Sequence, residues 1–192
     1  MDTFASVTLS DDRLVLTCPS ADLVPQIAAA CQDRDLHRWL EALPDPYTVQ
    51  DARDFVATCE RGWAEGTEQV FGVTAADGGR LLGMVGLHNL SHLSAPSGGM
   101  AEVGFWTAVA ERGQGVITDA ARLVCRYGFD ELALARIEWQ AEVGNHGSRR
   151  VAEKLGFTME GTCRRRLLHV GERVDGWLGG LLPEELTPGG AR

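Results

Sequence analysis

Two hydrophobic periods organise this chain. Short apolar runs bounded by turn residues predict strands at Leu14 to Thr17, Gln69 to Thr74, Arg80 to Leu90, Ala101 to Thr107 and Arg136 to Val143. Helical spacing governs other stretches. Phe55, Val56, Cys59 and Trp63 line one face of a helix from Gln50 to Glu65, with Thr48 as its cap. Ile117, Ala121, Val124, Cys125 and Leu132 form a core-facing stripe on a helix from Val116 to Leu132. Ser20 is placed to cap a helix from Ala21 to Cys31, and a short helix follows near Asp35 to Glu41 before Pro44-Asp45-Pro46 interrupts the chain. Asp77-Gly78-Gly79 marks a hairpin turn, and Ser91 to Gly99 reads as a glycine- and serine-rich loop. Asn145-His146-Gly147-Ser148 opens a short helix, Arg149 to Leu155, which Gly156 closes. Thr162 to Val170 and Arg173 to Leu182 form a last hairpin that turns at Gly171. The order predicts an α/β fold with one mixed, largely antiparallel sheet. Residues 1–186 are expected to form a single domain and 187–192 a disordered tail.

Composition narrows the function classes. With 192 residues, 44% of them hydrophobic, the chain can bury a substantial core. No apolar run approaches the ~20 residues of a membrane span, and the first residues show no basic-then-apolar signal segment. Five scattered cysteines without a Cys-x-x-Cys pair suit a reducing cytoplasm, and five histidines show no metal-ligand spacing. A net charge of −9 argues against nucleic-acid binding and is compatible with a cationic acceptor. Arg164-Arg165-Arg166 is a local exception, read either as a solvated strand edge or as a contact to a phosphate or acidic partner.

The densest chemical signal is Glu111-Arg112-Gly113-Gln114-Gly115-Val116, set between a strand and a long helix. Glycines allow close backbone approach, and the free N–H groups of a first helical turn, with the helix dipole behind them, attract phosphate. No Gly-Lys-Ser/Thr follows, so the loop is not a P-loop. Thr118 stands where a dinucleotide fingerprint wants a third glycine, and no early βαβ unit surrounds it.

Taken in order, Ala101-Glu102-Val103-Gly104-Phe105-Trp106, Arg112-Gly113-Gln114-Gly115, Asn145 with Ser148, Glu153-Lys154-Leu155-Gly156-Phe157 and Glu160-Gly161 resemble the GCN5-related N-acetyltransferases, most closely the branch that acetylates ribosomal-protein N-termini. Asp12-Arg13-Leu14-Val15-Leu16 and Val174-Asp175 resemble that branch's first and closing strands. The resemblance spans roughly residues 10 to 182. It implies about seven strands, splayed on either side of the Val116 helix to hold acetyl-coenzyme A. It also implies a cytoplasmic enzyme, no membrane association, and a homodimer as the family expectation.

The same resemblance assigns roles. The pyrophosphate would sit on the amides of Arg112, Gly113, Gln114, Gly115, Val116 and Ile117. The pantetheine arm would pair with Phe105, Trp106 and Thr107, and Asn145 would bond its amide. An amine, either a protein N-terminus or a small molecule, would attack the thioester directly, and coenzyme A would leave. Backbone amides near Trp106 would hold the oxyanion. Many relatives place a tyrosine acid where this chain has Ala152, so Ser148 is the substitute proton donor, unless it only caps its helix. Glu160 is the first candidate for general base and Glu102 the second. The Ser91 to Gly99 loop and the Ala42 to Tyr47 segment are expected to frame the acceptor pocket, with His88, His92, Trp39 and Trp63 as candidate lining. Two other readings stay open: a non-catalytic acetyl-coenzyme A sensor, and a nicotinamide-dependent oxidoreductase.

Overall fold

One eight-stranded sheet carries the molecule, in the order β1-β2-β3-β4-β5-β6-β8-β7. The computed structural model describes residues 7–40, 43–77 and 79–188. Its strands are β1 (Leu9–Ser10), β2 (Leu14–Thr17), β3 (Gln69–Ala75), β4 (Leu81–Ser91), β5 (Gly99–Thr107), β6 (Leu134–Glu142), β7 (Thr158–His169) and β8 (Glu172–Leu181). The helices are α1 (Val24–Ala30), α2 (Arg34–Trp39), α3 (Val49–Glu65), α4 (Val116–Asp130) and α5 (His146–Leu155). The strand beyond the expected seven is the two-residue β1, too short to leave a periodic signal. All pairings are antiparallel except β5 with β6, which the α4 crossover makes parallel.

Local chemistry accounts for most element ends. Thr48 and Asp51 form a reciprocal capping box at the start of α3, and Gly66 closes it in the left-handed region. Ser20 makes no side-chain cap. Instead a 3-10 turn at Ala21–Leu23 precedes α1, where Pro25 occupies the first turn and needs no donor there. Helix α2 starts one residue early because Asp33 accepts from the Asp35 amide; Glu41 lies outside the described residues. Asn145, not Ser148, caps α5, which therefore begins at His146. Thr187 was expected to be disordered, yet its amide donates to the Leu155 carbonyl and its own carbonyl accepts from Arg122. Residues 189–192 lie outside the described residues, as does Gly78 of the Asp77-Gly78-Gly79 turn.

The two faces of the sheet are covered differently. On one, α4 packs its buried stripe (Ile117, Ala121, Val124, Cys125) and Leu132 against Val85, Leu87, Val103, Ile137 and Trp139, and α5 adds Ala152 and Leu155. On the other, α1 and α3 cover Leu81 and Met84. Among the described residues, no helix is long and apolar enough to cross a membrane.

Phe71 on β3 is fully buried and takes edge-on contacts from Trp63 (centroids 5.0 Å apart) and Tyr127 (6.1 Å), joining α3, the sheet and α4. Phe71→Ala should lower unfolding free energy by about 3–5 kcal/mol, read as a shift of the urea midpoint at unchanged slope.

Candidate active site

The site begins where two strands stop pairing. β5 and β6 are in register from Gly99 with Leu134 to Glu102 with Glu138, and no further. Beyond Glu102, β5 stays bonded to β4, with Phe105 opposite Val85, Trp106 opposite Met84 and Thr107 opposite Gly83. β6 stays bonded to β8 through Glu142. The facing edges are thus left to open into a cavity of about 940 Å³. Phe105, Trp106, Thr107, Trp139, Gln140 and Ala141 line its walls. Helix α2 closes one side with Leu36, Trp39 and Leu40, and Trp39 lies over Gly144.

One end of the cavity is built for anions. Gly113 and Gly115 both have positive φ, at 76° and 80°, a region open to glycine. Helix α4 has no side-chain cap, and its first backbone bond runs from the Asp119 amide to the Gly115 carbonyl. The amides of Val116, Ile117 and Thr118 precede that bond and are the open donors of the first turn. The loop is tied down from behind: Glu111, almost fully buried, pairs with Arg80. Arg112 lines the cavity, but its guanidinium is engaged by Asp33 and Asp35, which fasten α2 to the loop. Gln114 points away, donating to the Ala110 carbonyl, so it is not part of the lining. Arg150 and Lys154, one helical turn apart on α5, add positive charge at this end. Sequence reasoning missed them because basic residues on a short exposed helix carry no distinguishing pattern.

Between the ends sits a fixed hydroxyl. Asn145 Oδ1 accepts from the Ser148 amide, and Ser148 Oγ accepts from Trp139 Nε1 at 2.9 Å. A hydroxyl that accepts from an indole keeps its own proton to give elsewhere. Ser148 therefore does more than cap a helix, and both Asn145 and Ser148 line the cavity. The Trp139 partner was hidden in the sequence, where it reads as one more inward residue of β6.

The other end is acidic. Glu102 projects from β5 just where pairing with β6 ends, and its carboxylate accepts from Gln140 at 3.1 Å. Burial is the main influence on Glu102 and raises its pKa; the neighbouring His88 ring, the Gln140 hydrogen bond and Arg166 oppose that rise, and Glu138 adds to it. Glu142, four residues beyond Glu138 on β6, pairs with His169 at 3.1 Å, and both line the cavity.

Glu160 does not belong to this arrangement. It lies on β7 and is held two-pronged by Arg136, at 2.7 and 2.6 Å, across the strand position of Gly180. Arg136 pairs with Met100 at the end where β5 and β6 are still bonded, away from the cavity. The guanidinium also lowers the Glu160 pKa, which makes it a poorer proton acceptor. The sequence placed Glu160 correctly after α5, but not the face or the partner that β7 gives it.

The expected acceptor frame is also corrected. Trp39 and His88 line the cavity, whereas Trp63 is core, donating to the Val70 carbonyl, and His92 and the rest of the Ser91 to Gly99 loop lie outside. Tyr47 is buried beneath α1 and α3, and Ala42 lies outside the described residues. Arg164 and Arg165 are exposed on the edge strand β7, and Arg166 reaches Gln140, far from the glycine loop in chain and sheet order.

Comparisons with known proteins give the family. The acetyltransferase (GNAT) domain family matches residues 13–158. "Probable N-acetyltransferase YjcK" of Bacillus subtilis is 36% identical over 161 residues, 84% of this chain and 81% of its own. "Putative ribosomal N-acetyltransferase YdaF" of the same organism is 35% identical over 131 residues, 67% of this chain and 68% of its own. Among solved structures, Mycobacterium smegmatis RimJ in complex with a coenzyme A disulfide superposes with a TM-score of 0.81, covering 95% of this chain and 89% of RimJ, at 21% identity, a likeness of fold. The chain belongs to the GNAT acetyltransferase family, on its RimJ/RimL-like branch.

Proposed function

We propose that this N-acetyltransferase moves an acetyl group from acetyl-coenzyme A to a primary amine by direct attack in a ternary complex. The observation that carries the reading is the polarity of one cavity. Open helix amides with Arg150 and Lys154 stand at one end, and Glu102 at the other, with the unpaired edges of β5 and β6 between them. Such a cavity suits a ligand with phosphates at its head and a reaction with an ammonium at its tail.

In this reading the pyrophosphate rests on the amides of Gly113 and Val116 to Thr118. The pantetheine arm takes the hydrogen bonds that β6 no longer supplies to Phe105, Trp106 and Thr107. Asn145 bonds the arm as well, through the amide group its cap leaves over. Glu102 receives the acceptor ammonium and takes a proton from it. The freed amine attacks the thioester carbonyl, whose oxygen is stabilised by β5 amides near Trp106. The carbon–sulfur bond breaks, and the thiolate is protonated through Ser148. In balance, the ammonium gives up two protons, one to solvent and one to sulfur. The acceptor is a protein N-terminus or a small-molecule amine, and the name of YdaF favours a ribosomal-protein N-terminus. An α-amine titrates near neutrality and so demands less of the base than a lysine does.

Three outcomes test the reading. Gly113→Trp fills a loop position at positive φ and should weaken acetyl-coenzyme A binding at least about tenfold by calorimetric titration; unchanged affinity removes the phosphate assignment. Ser148→Ala should lower kcat by a factor on the order of 10² while acetyl-coenzyme A affinity holds; equal kcat would mean that the hydroxyl serves Trp139 alone. Glu102 must be ionised to accept a proton, and burial keeps its carboxyl protonated to higher pH than usual. Turnover should therefore fall on acidification at a pH above the ordinary carboxylate range, and Glu102→Gln should lower kcat and remove that limb. A protein that binds acetyl-coenzyme A but releases no thiol with any amine would be the sensor instead.

A further inference from the structure

His88 is held in a way that packing does not require. It is the direct cross-strand partner of Glu102, on the same face of the sheet, and it lines the cavity. Its Nδ1 lies 2.8 Å from Glu68 Oε2, in the turn between α3 and β3. Three glycines clear the space for this pair. A Cβ at Gly86 would come within 2.9 Å of His88 Nε2, and one at Gly104 within 3.2 Å of the same ring. A Cβ at Gly62 would collide with the Glu68 side chain. Gly62 sits inside helix α3, where glycine is less stable than alanine by about 0.5–1 kcal/mol, so the helix gives up stability where Glu68 crosses it. Both side chains of the pair are partly exposed, at 36% for His88 and 26% for Glu68.

We propose that Glu68 and His88 form a proton relay that carries the acceptor's proton from Glu102 to solvent. The inference rests on the acetyltransferase reading of the same cavity. With Nδ1–H donated to the Glu68 carboxylate, the neutral ring presents the lone pair of Nε2. Glu102, protonated by the incoming ammonium, passes that proton to Nε2. The resulting imidazolium is held by the Glu68 carboxylate and releases its proton to water, which returns Glu102 to the ionised form for the next turnover. No electron pair changes owner in the relay except at the N–H and O–H bonds exchanged. The charged groups facing the pair are Glu68 from the α3–β3 turn, Glu102 from β5, Glu138 from β6 and Arg166 from β7, the last two acting on Glu102. His88 touches the reacting proton and is a catalytic residue, whereas Glu68 is a positioning residue.

The test uses the full chain, acetyl-coenzyme A and a short peptide with a free α-amine, with thiol release as readout. His88→Ala should lower kcat by a factor on the order of 10², with the acetyl-coenzyme A Kd and the peptide KM unchanged. Added imidazole should restore the rate in proportion to its free-base concentration, and Glu68→Gln should lower kcat by a smaller factor that imidazole does not restore. Wild-type kcat in His88→Ala overturns the relay, and so does a loss that imidazole leaves in place. Wild-type protein that releases no thiol with this peptide or with any other amine overturns the transferase reading and the relay together, which separates that failure from failure of the relay alone.

Discussion

The whole site depends on a row of backbone hydrogen bonds that the sheet does not make. β5 and β6 are bonded up to Glu102 and Glu138, and then their facing edges part. Unpaired amides and carbonyls in a half-enclosed space are unfavourable, by about 1–3 kcal/mol for each group left without a partner. The rest of the fold keeps the gap open against that tendency. β4 and β8 hold the outer edges of the two strands in register, and the buried stripe of α4 wedges beneath them. A ligand that can pair with an extended strand gains what the protein has left unmade.

The parting also decides where each chemical group falls. Glu102 stands on the last paired position of β5, so it is half-buried by the closed part of the sheet while its carboxylate reaches Gln140 beside the open part. Trp139 is the next residue of β6 after the last paired position, and its indole donates to Ser148 on α5. The glycine loop occupies the far lip because α4 must start there to return the chain to β6. The positions of Glu102, Ser148 and the glycine loop are three consequences of one topological event.

Most of the fold was legible from periodicity and punctuation. β2 was placed residue for residue, and the starts of α4 and the ends of α3 and α5 followed from glycine and capping signals that act locally. The glycine loop, Asn145 and Ser148 were legible too, because backbone chemistry ties those residue types to those positions. What sequence did not carry was the face on which a charged strand residue lands and the partner it finds there. In the chain alone Glu160 ranks ahead of Glu102 as the candidate base. Only the bulged register of β7 and the presence of Arg136 across Gly180 assign one to an ion pair and leave the other at the cavity. The Arg112 contacts to Asp33 and Asp35 were unreadable for the same reason: they join segments some 77 and 79 positions apart.

Glycines that look like loop punctuation or packing defects acquire a common meaning once side chains are in place. Gly62, Gly86, Gly104 and Gly180 lie in regular helix or strand, where glycine weakens the element. Each is overlain by a charged or titratable side chain: Glu68 over Gly62, His88 over Gly86 of its own strand and Gly104 of the next, Arg136 with Glu160 over Gly180. Polar groups laid flat on a sheet need bare backbone beneath them, since a methyl group would lift them out of hydrogen-bond range of their partners. At Gly180 the result is an ion pair that pins the edge strand. At Gly62, Gly86 and Gly104 it is a carboxylate–imidazole pair open to the cavity on one side and to water on the other. The two arrangements use the same physical device, and only the second stands directly across the strand pair from Glu102.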